Sequence, residues 1–298
     1  MKADSILRFP LAWSKASDFM RLAKPGLTSL VVFTAFVGFC GGIQGPVPFV
    51  PLLHTLIGTA LTAAGASAFN MYAERRVDAL MKRTALRPLA SGKLRPGPAL
   101  VFALGISLAG FVYLLLLVNA LASLLSVIIF AGYLFFYTPL KAKTWLCTLA
   151  GAVPGALPVV LGWVGAHGSL SLEAWVLFSI LFLWQLPHFY AISWMHREDY
   201  ARAGLPVLPA IDRSGKRTAI QVVLCVALLM FCSFLPVAVG SSGAAYLAAA
   251  IFLGTAFLAF GIHFARRRDR LSARRLFVAS AWYLPALLIF LLLDRLFS

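Results

Sequence analysis

The chain has 298 residues, 61% of them hydrophobic and 12% charged, with 26 Lys+Arg against 10 Asp+Glu and a formal net charge of +16. A soluble domain sits near half apolar and a quarter charged, so this composition points to a polytopic α-helical membrane protein. The basic residues fall in short gaps between long apolar runs rather than along one soluble face, which argues against nucleic acid as a partner.

Residues 1–26 carry five basic side chains, Lys2, Arg8, Lys15, Arg21 and Lys24, together with Asp4 and Asp18. They lack an apolar core with a small-residue cleavage site, and they are not the acid-poor segment of a mitochondrial precursor. The expectation is therefore a retained segment and a bacterial cytoplasmic membrane. Apolar runs of spanning length follow at 27–45, 50–71, 98–118, 121–138, 145–165, 172–193, 218–239, 243–264 and 276–294. Each is near the ~20 residues that cross a bilayer as a helix. None alternates polar with apolar residues, which excludes a β-barrel.

The connections fix an orientation. The amino-terminal segment and the loops after spans 2, 4, 6 and 8 hold 25 of the 26 basic residues, and only Arg295 lies elsewhere. Such separation requires an odd number of spans, with the amino terminus cytoplasmic and the carboxyl terminus opposite. Cys40, Cys147, Cys225 and Cys232 stand singly in apolar runs and read as small core residues.

Polar residues are costly in lipid, and they gather at two span ends on the basic side. Asn70, Glu74 and Asp78 at the end of span 2 recur every fourth residue and form one oxygen-bearing helix stripe. With Arg83 and Arg87 beyond it, the stripe suits a divalent cation bridging to phosphate. The same spacing also suits a solvated helix end with local ion pairs. Span 6 ends with Pro187 and His188, then His196 and Asp199. A helix continuing past Pro187 would put these two histidines and the carboxylate on a common face, with a kink near His188. They could ligate a metal or porphyrin iron, act as acid or base, or simply satisfy hydrogen bonds at a helix end. After span 4 comes Tyr137-Thr-Pro-Leu-Lys141, and span 5 carries Gly151, Pro154, Gly155, Pro158 and Gly162, which allow close helix approach around a cavity.

At these residues the chain resembles the intramembrane prenyltransferase superfamily that includes the 4-hydroxybenzoate polyprenyltransferases, and within it the haem-prenylating branch. The resemblance rests on Asn70 through Asp78 to Met81, Arg83, Thr84, Arg87, Pro88 and Leu89, on Tyr137 to Lys141, and on Gly151 to Pro158. It extends to Trp184, Pro187, His188 and Phe189, leading to Asp199, Tyr200, Ala203 and Gly204. Three departures stand out. Glu74 replaces the first aspartate, the second aspartate pair survives only as Asp199, and Cys147 stands where the haem branch tends to have asparagine.

The resemblance implies a single all-α domain over 1–298, nine transmembrane helices around a central cavity open to the cytoplasmic side, capped by residues 72–97 and 194–217. It implies transfer of the farnesyl group of farnesyl diphosphate to a vinyl group of haem B. A haem A synthase or terminal oxidase would lie downstream, and membrane lipid would surround the chain. Mg²⁺ would sit on Asn70, Glu74 and Asp78, with diphosphate on Arg83, Arg87 and Lys141. His188, His196 and Tyr200 would contact haem, and Asp199 would support catalysis. Tyr72, Tyr137, Trp184, Phe189 and Tyr200 are candidates for the wall facing an allylic cation. Two other readings compete: a prenyltransferase for a 4-hydroxybenzoate- or homogentisate-type ring, and a transporter, which would want ionisable residues near the midplane.

Overall fold

The computed structural model describes residues 11–297, with side-chain surroundings for 16–295. Lys2, Asp4 and Arg8 of the basic amino-terminal segment, and the side chain of Lys15, lie outside the described residues. Helix α1 (Leu11–Leu22) leads into α2 (Pro25–Gly41), then α3 (Phe49–Asp78), α4 (Pro96–Leu117) and α5 (Ala120–Ala131). A wide π turn (Gly132–Tyr137) joins α5 to α6 (Thr138–Lys141). It is followed by α7 (Cys147–His167), α8 (Leu172–Met195), α9 (Arg197–Arg202) and α10 (Leu208–Ile211). The chain ends with α11 (Lys216–Cys232), α12 (Leu235–Ala238), α13 (Ala244–Arg267) and α14 (Arg270–Phe297).

Among the described residues, eight helices are long and apolar enough to cross a membrane. A ninth crossing comes from α1 and α2 together, bent by 48° at their junction. The nine expected spans are thus recovered, although ends move: α3 runs on to Asp78 where span 2 was expected to stop at 71, and α14 starts at Arg270 where span 9 was expected from 276. Span 1 ends early, because Gly45, at φ 95°, and the prolines that follow cannot continue a helix. The segment before it, read as a cytoplasmic tail, contains α1, and Lys24 sits at the bend with φ 46°. Carbonyl Lys24 O still accepts from Leu27 N and Thr28 N, so the bend starts α2 directly, with Pro25 at its first position.

Helices α7 and α8 are the most buried of the spans, and the others surround them. The sequence basis is visible at α2 and α7: a Cβ on Gly162 would run into Ala35 O, so only glycine lets these two backbones touch. Helix α8 runs unbroken through Pro187. Arg295 hydrogen bonds to Gly41 O at the far end of α2, and to Ser241 O. Since α2 begins beside Lys24, Arg295 lies at the end of the bundle away from the remaining basic residues described below, as the loop charges required.

Candidate functional site

Because α3 continues to Asp78, the stripe inferred from the sequence exists as one face of its last turns. Asn70, Glu74 and Asp78 are 2%, 8% and 2% exposed, so this is not a solvated helix end. Burying two carboxylates demands compensation, and each oxygen donor has a cationic nitrogen from another segment. Lys24 Nζ donates to Asn70 Oδ1 at 3.0 Å. Lys141 Nζ donates to both carboxylate oxygens of Glu74, at 3.0 and 3.1 Å. Arg87 Nη1 reaches both oxygens of Asp78, at 2.8 and 2.7 Å. The Asn70 amide is oriented from its other side, where Nδ2 donates to Thr138 Oγ1 at 3.3 Å. Thr84 folds the following loop back by donating to Asp78 O at 2.9 Å.

Two of these groups were not foreseen. Lys24 was counted only as a topological charge, although Lys-Pro before an apolar run marks a side chain at the mouth of a helix. Thr138 stands in the Tyr137 to Lys141 segment that carries the resemblance, but no role attached to it there. The π turn is also new: it stacks Tyr133 on Tyr137, with centroids 5.4 Å apart and planes 12° from parallel, against the cavity. Such turns recur at functional sites.

The cavity, about 300 Å³, opens among α2, α3, the π turn, α7 and α8. Lys141 lies at its polar end, and Tyr133, Tyr137, Trp184, Phe189 and Tyr200 supply aromatic walls. Tyr72 is not among them; it stacks under Arg75, whose Cζ lies 4.5 Å from the ring centroid. Gly155 shapes the floor, since a Cβ there would collide with Gln185 Oε1.

His188 faces the same cavity and is tied to α14. Its Nδ1 lies 2.7 Å from Ser280 Oγ, and Ser280 Oγ donates its only proton to Phe277 O at 2.6 Å. With the Ser280 proton directed at Phe277 O, Nδ1 carries the ring hydrogen and Nε2 keeps its lone pair. A donor nitrogen fixed through its opposite ring N–H is the usual arrangement of a ligating histidine. Trp184 stacks on the same ring at 4.9 Å and donates to Ser280 O.

The remaining expected residues are dispersed. Helix α8 stops at Met195, so His196 is not on the His188 face; it caps the helix and lines a separate surface recess with Arg197, Asp199 and Arg270. Burial, then the nearby Arg83 charge, lowers the His196 pKa from its ordinary value. Asp199 is paired with Arg202 Nη1 at 2.9 Å, a local i,i+3 contact outside the cavity. Arg83 is exposed and makes no hydrogen bond or ion pair among the described residues. All four cysteines are free thiols, and Cys147 lines the cavity.

No cluster of three or more His, Cys, Asp or Glu side chains suited to a metal occurs among the described residues. The oxygen set here is an amide and two carboxylates, hard donors of the kind Mg²⁺ takes, and they fit that ion once Lys24, Lys141 and Arg87, which now occupy them, turn to a polyanionic ligand. Together, the cationic rim and apolar cavity can hold an amphiphile with a polyanionic head.

Fold and site define a multi-pass membrane protein with a charged site at the mouth of an apolar cavity. Residues 31–290 match the model of the UbiA prenyltransferase family, and the chain belongs to that family. A relative from Solibacter usitatus, a protoheme IX farnesyltransferase, is 44% identical over 287 residues, covering 93% of this chain and 98% of its own. Among solved structures, a digeranylgeranylglyceryl phosphate synthase superposes with TM-score 0.80 at 16% identity, covering 96% of this chain and all of that one. A UbiA homologue from Archaeoglobus fulgidus bound to DMAPP and Mg²⁺ gives TM-score 0.64 at 15% identity, over 92% of this chain and 99% of that one.

Proposed function

We propose that the chain transfers the farnesyl group of farnesyl diphosphate to a vinyl group of protohaem IX, releasing diphosphate. The observation that carries this reading is one cavity lined both by Lys141, which belongs to the buried carboxylate and cation layer, and by His188 with its bare Nε2. A donor with a charged head and an apolar tail suits the first feature, and an iron porphyrin suits the second.

In the proposed step the C1–O bond of the donor breaks and its electron pair leaves on diphosphate. The vinyl π pair forms the new bond to C1, and water captures the cation left beside the macrocycle and loses its proton to solvent. Lys24, Arg87 and Lys141 move charge onto the diphosphate, and exposed Arg83 is free to join them. Mg²⁺ held by Asn70, Glu74 and Asp78 would neutralise the departing charge. Tyr133, Tyr137, Trp184 and Phe189 present ring faces to the allylic cation while excluding bulk water. His188 holds the acceptor, and Tyr200 borders it. The site end faces the cytoplasm of a bacterial inner membrane, residues 72–97 and 194–217 cap one domain spanning 1–298, and the product serves a haem A synthase or terminal oxidase.

The test is to incubate purified protein with haem B, farnesyl diphosphate and Mg²⁺, with and without chelator, and resolve haems by mass. A Mg²⁺-dependent haem enlarged by one farnesyl and one hydroxyl group supports the reading. Prenylation of 4-hydroxybenzoate or homogentisate instead would overturn the acceptor and leave the donor site.

A further inference from the structure

A second concavity lies on the other side of the His188 contact. A groove of about 620 Å³ runs between α8 and α14, walled by Met195, Leu271, Phe277 and Val278 and bearing Arg270 and Arg274. Both arginines are exposed, and neither makes an ion pair among the described residues. Phe277 joins the groove to the cavity, because its ring packs against His188 with centroids 4.9 Å apart. Arg270 also borders the recess of His196. The groove thus has an apolar, partly aromatic wall separated from His188 by the Phe277 ring and, at its end, two exposed guanidinium groups without an ion-pair partner among the described residues.

We infer that this groove holds the propionate edge of the porphyrin acceptor, with Arg270 and Arg274 binding the two carboxylates. The inference rests on the proposed acceptor. Protohaem IX carries its propionates on two neighbouring pyrroles and its vinyl groups on the opposite two. With iron at His188 and the carboxylates on α14, the vinyl edge points away from the groove and into the cavity that Lys141 lines. Paired guanidinium groups fork onto carboxylates with more geometric definition than lysine gives, so the arginines would set which edge of the ring faces the donor. Phe277 stands between the groove and His188, so its ring must shift for the macrocycle to reach both.

The experiment compares haem B with its dimethyl ester, which keeps iron and vinyl groups but lacks both carboxylate charges. Both acceptors are given to the wild-type chain, to an Arg270→Gln/Arg274→Gln variant, and to an Arg266→Gln/Arg267→Gln control that alters the same basic end outside the groove. Esterification should lower wild-type kcat/KM about tenfold or more, through KM, as expected for loss of charge-assisted hydrogen bonds. The groove variant should lose a similar factor for haem B and no longer distinguish the two acceptors, with KM for farnesyl diphosphate unchanged. The control should behave as wild type. Equal use of both acceptors by the wild type would overturn the inference while leaving the farnesyl transfer standing. So would a groove variant that lost activity equally towards both, which would mean that the arginines serve another anion such as a phospholipid headgroup. If the wild type farnesylates neither acceptor, the acceptor assignment falls and this inference with it.

Discussion

At the α3–α6 wall three buried oxygen donors each face a cationic nitrogen within 3.1 Å, whereas the groups that fix the His188 ring between α8 and α14 are a serine and an indole, neither of them charged. The first wall draws on residues from Lys24 to Lys141, with bonded partners up to 68 residues apart in sequence, and its charges nearly cancel, so it tolerates burial and can exchange partners with a charged ligand. The second wall spends its hydrogen bonds on fixing one ring. The comparison teaches that a donor able to leave as an anion and an acceptor able to supply π electrons need different surroundings, and that both can border one small cavity.

The comparison breaks most sharply at Asp78. Asp78→Asn keeps the shape but unbalances Arg87, and turnover should fall about 10²–10³-fold, with the protein still recovered from membranes; product chromatography is the measurement, and normal turnover would remove Asp78 from the site. On the other wall, His188→Ala should weaken haem capture about a hundredfold and Ser280→Ala about tenfold, the range of ligand-orienting contacts. Soret titration reads both, and farnesyl diphosphate affinity should not move. Gly155→Val pushes a side chain into Gln185 between the walls; about 1–3 kcal/mol of stability should be lost to overpacking, seen as a lowered Tm, and KM for the donor should rise.

The smallest effect belongs to His196. Its pKa is below the ordinary histidine value because burial, then the Arg83 charge, disfavours the imidazolium. The unfolded chain therefore binds this proton more readily, so the native state should lose stability as pH falls below the ordinary histidine pKa. His196→Asn should flatten that part of a Tm-against-pH profile without changing activity at neutral pH.

The sequence allowed much of the first wall to be read, because a helix imposes its period: once α3 continues past Asn70, Glu74 and Asp78 must follow on the same face. Loop charges likewise carried the nine crossings and the isolation of Arg295. Other features depend on where chains meet. Lys24 reaches Asn70 only because the chain bends between α1 and α2, and no local pattern encodes that distance. His196 was grouped with His188 on the premise of an unbroken helix, and the stop at Met195 separates them. Asp199 was placed on that same face and given a supporting role by resemblance, although Arg202 three residues on already offered it a local partner.

The π turn at Gly132–Tyr137 also bears on insertions and deletions. A π turn accommodates one more residue than an α-helical turn does. Deleting a single residue there would let α5 and α6 fuse into regular helix with nearly the same phase beyond it, because the wide turn already absorbs the extra residue. Tyr133 and Tyr137 would then stand three residues apart instead of four, and the ring stack that lines the cavity would be lost. In this segment the chain length itself is the functional variable: a shortened protein could fold at least as well and yet lose its chemistry, so stability screening alone would pass it as sound.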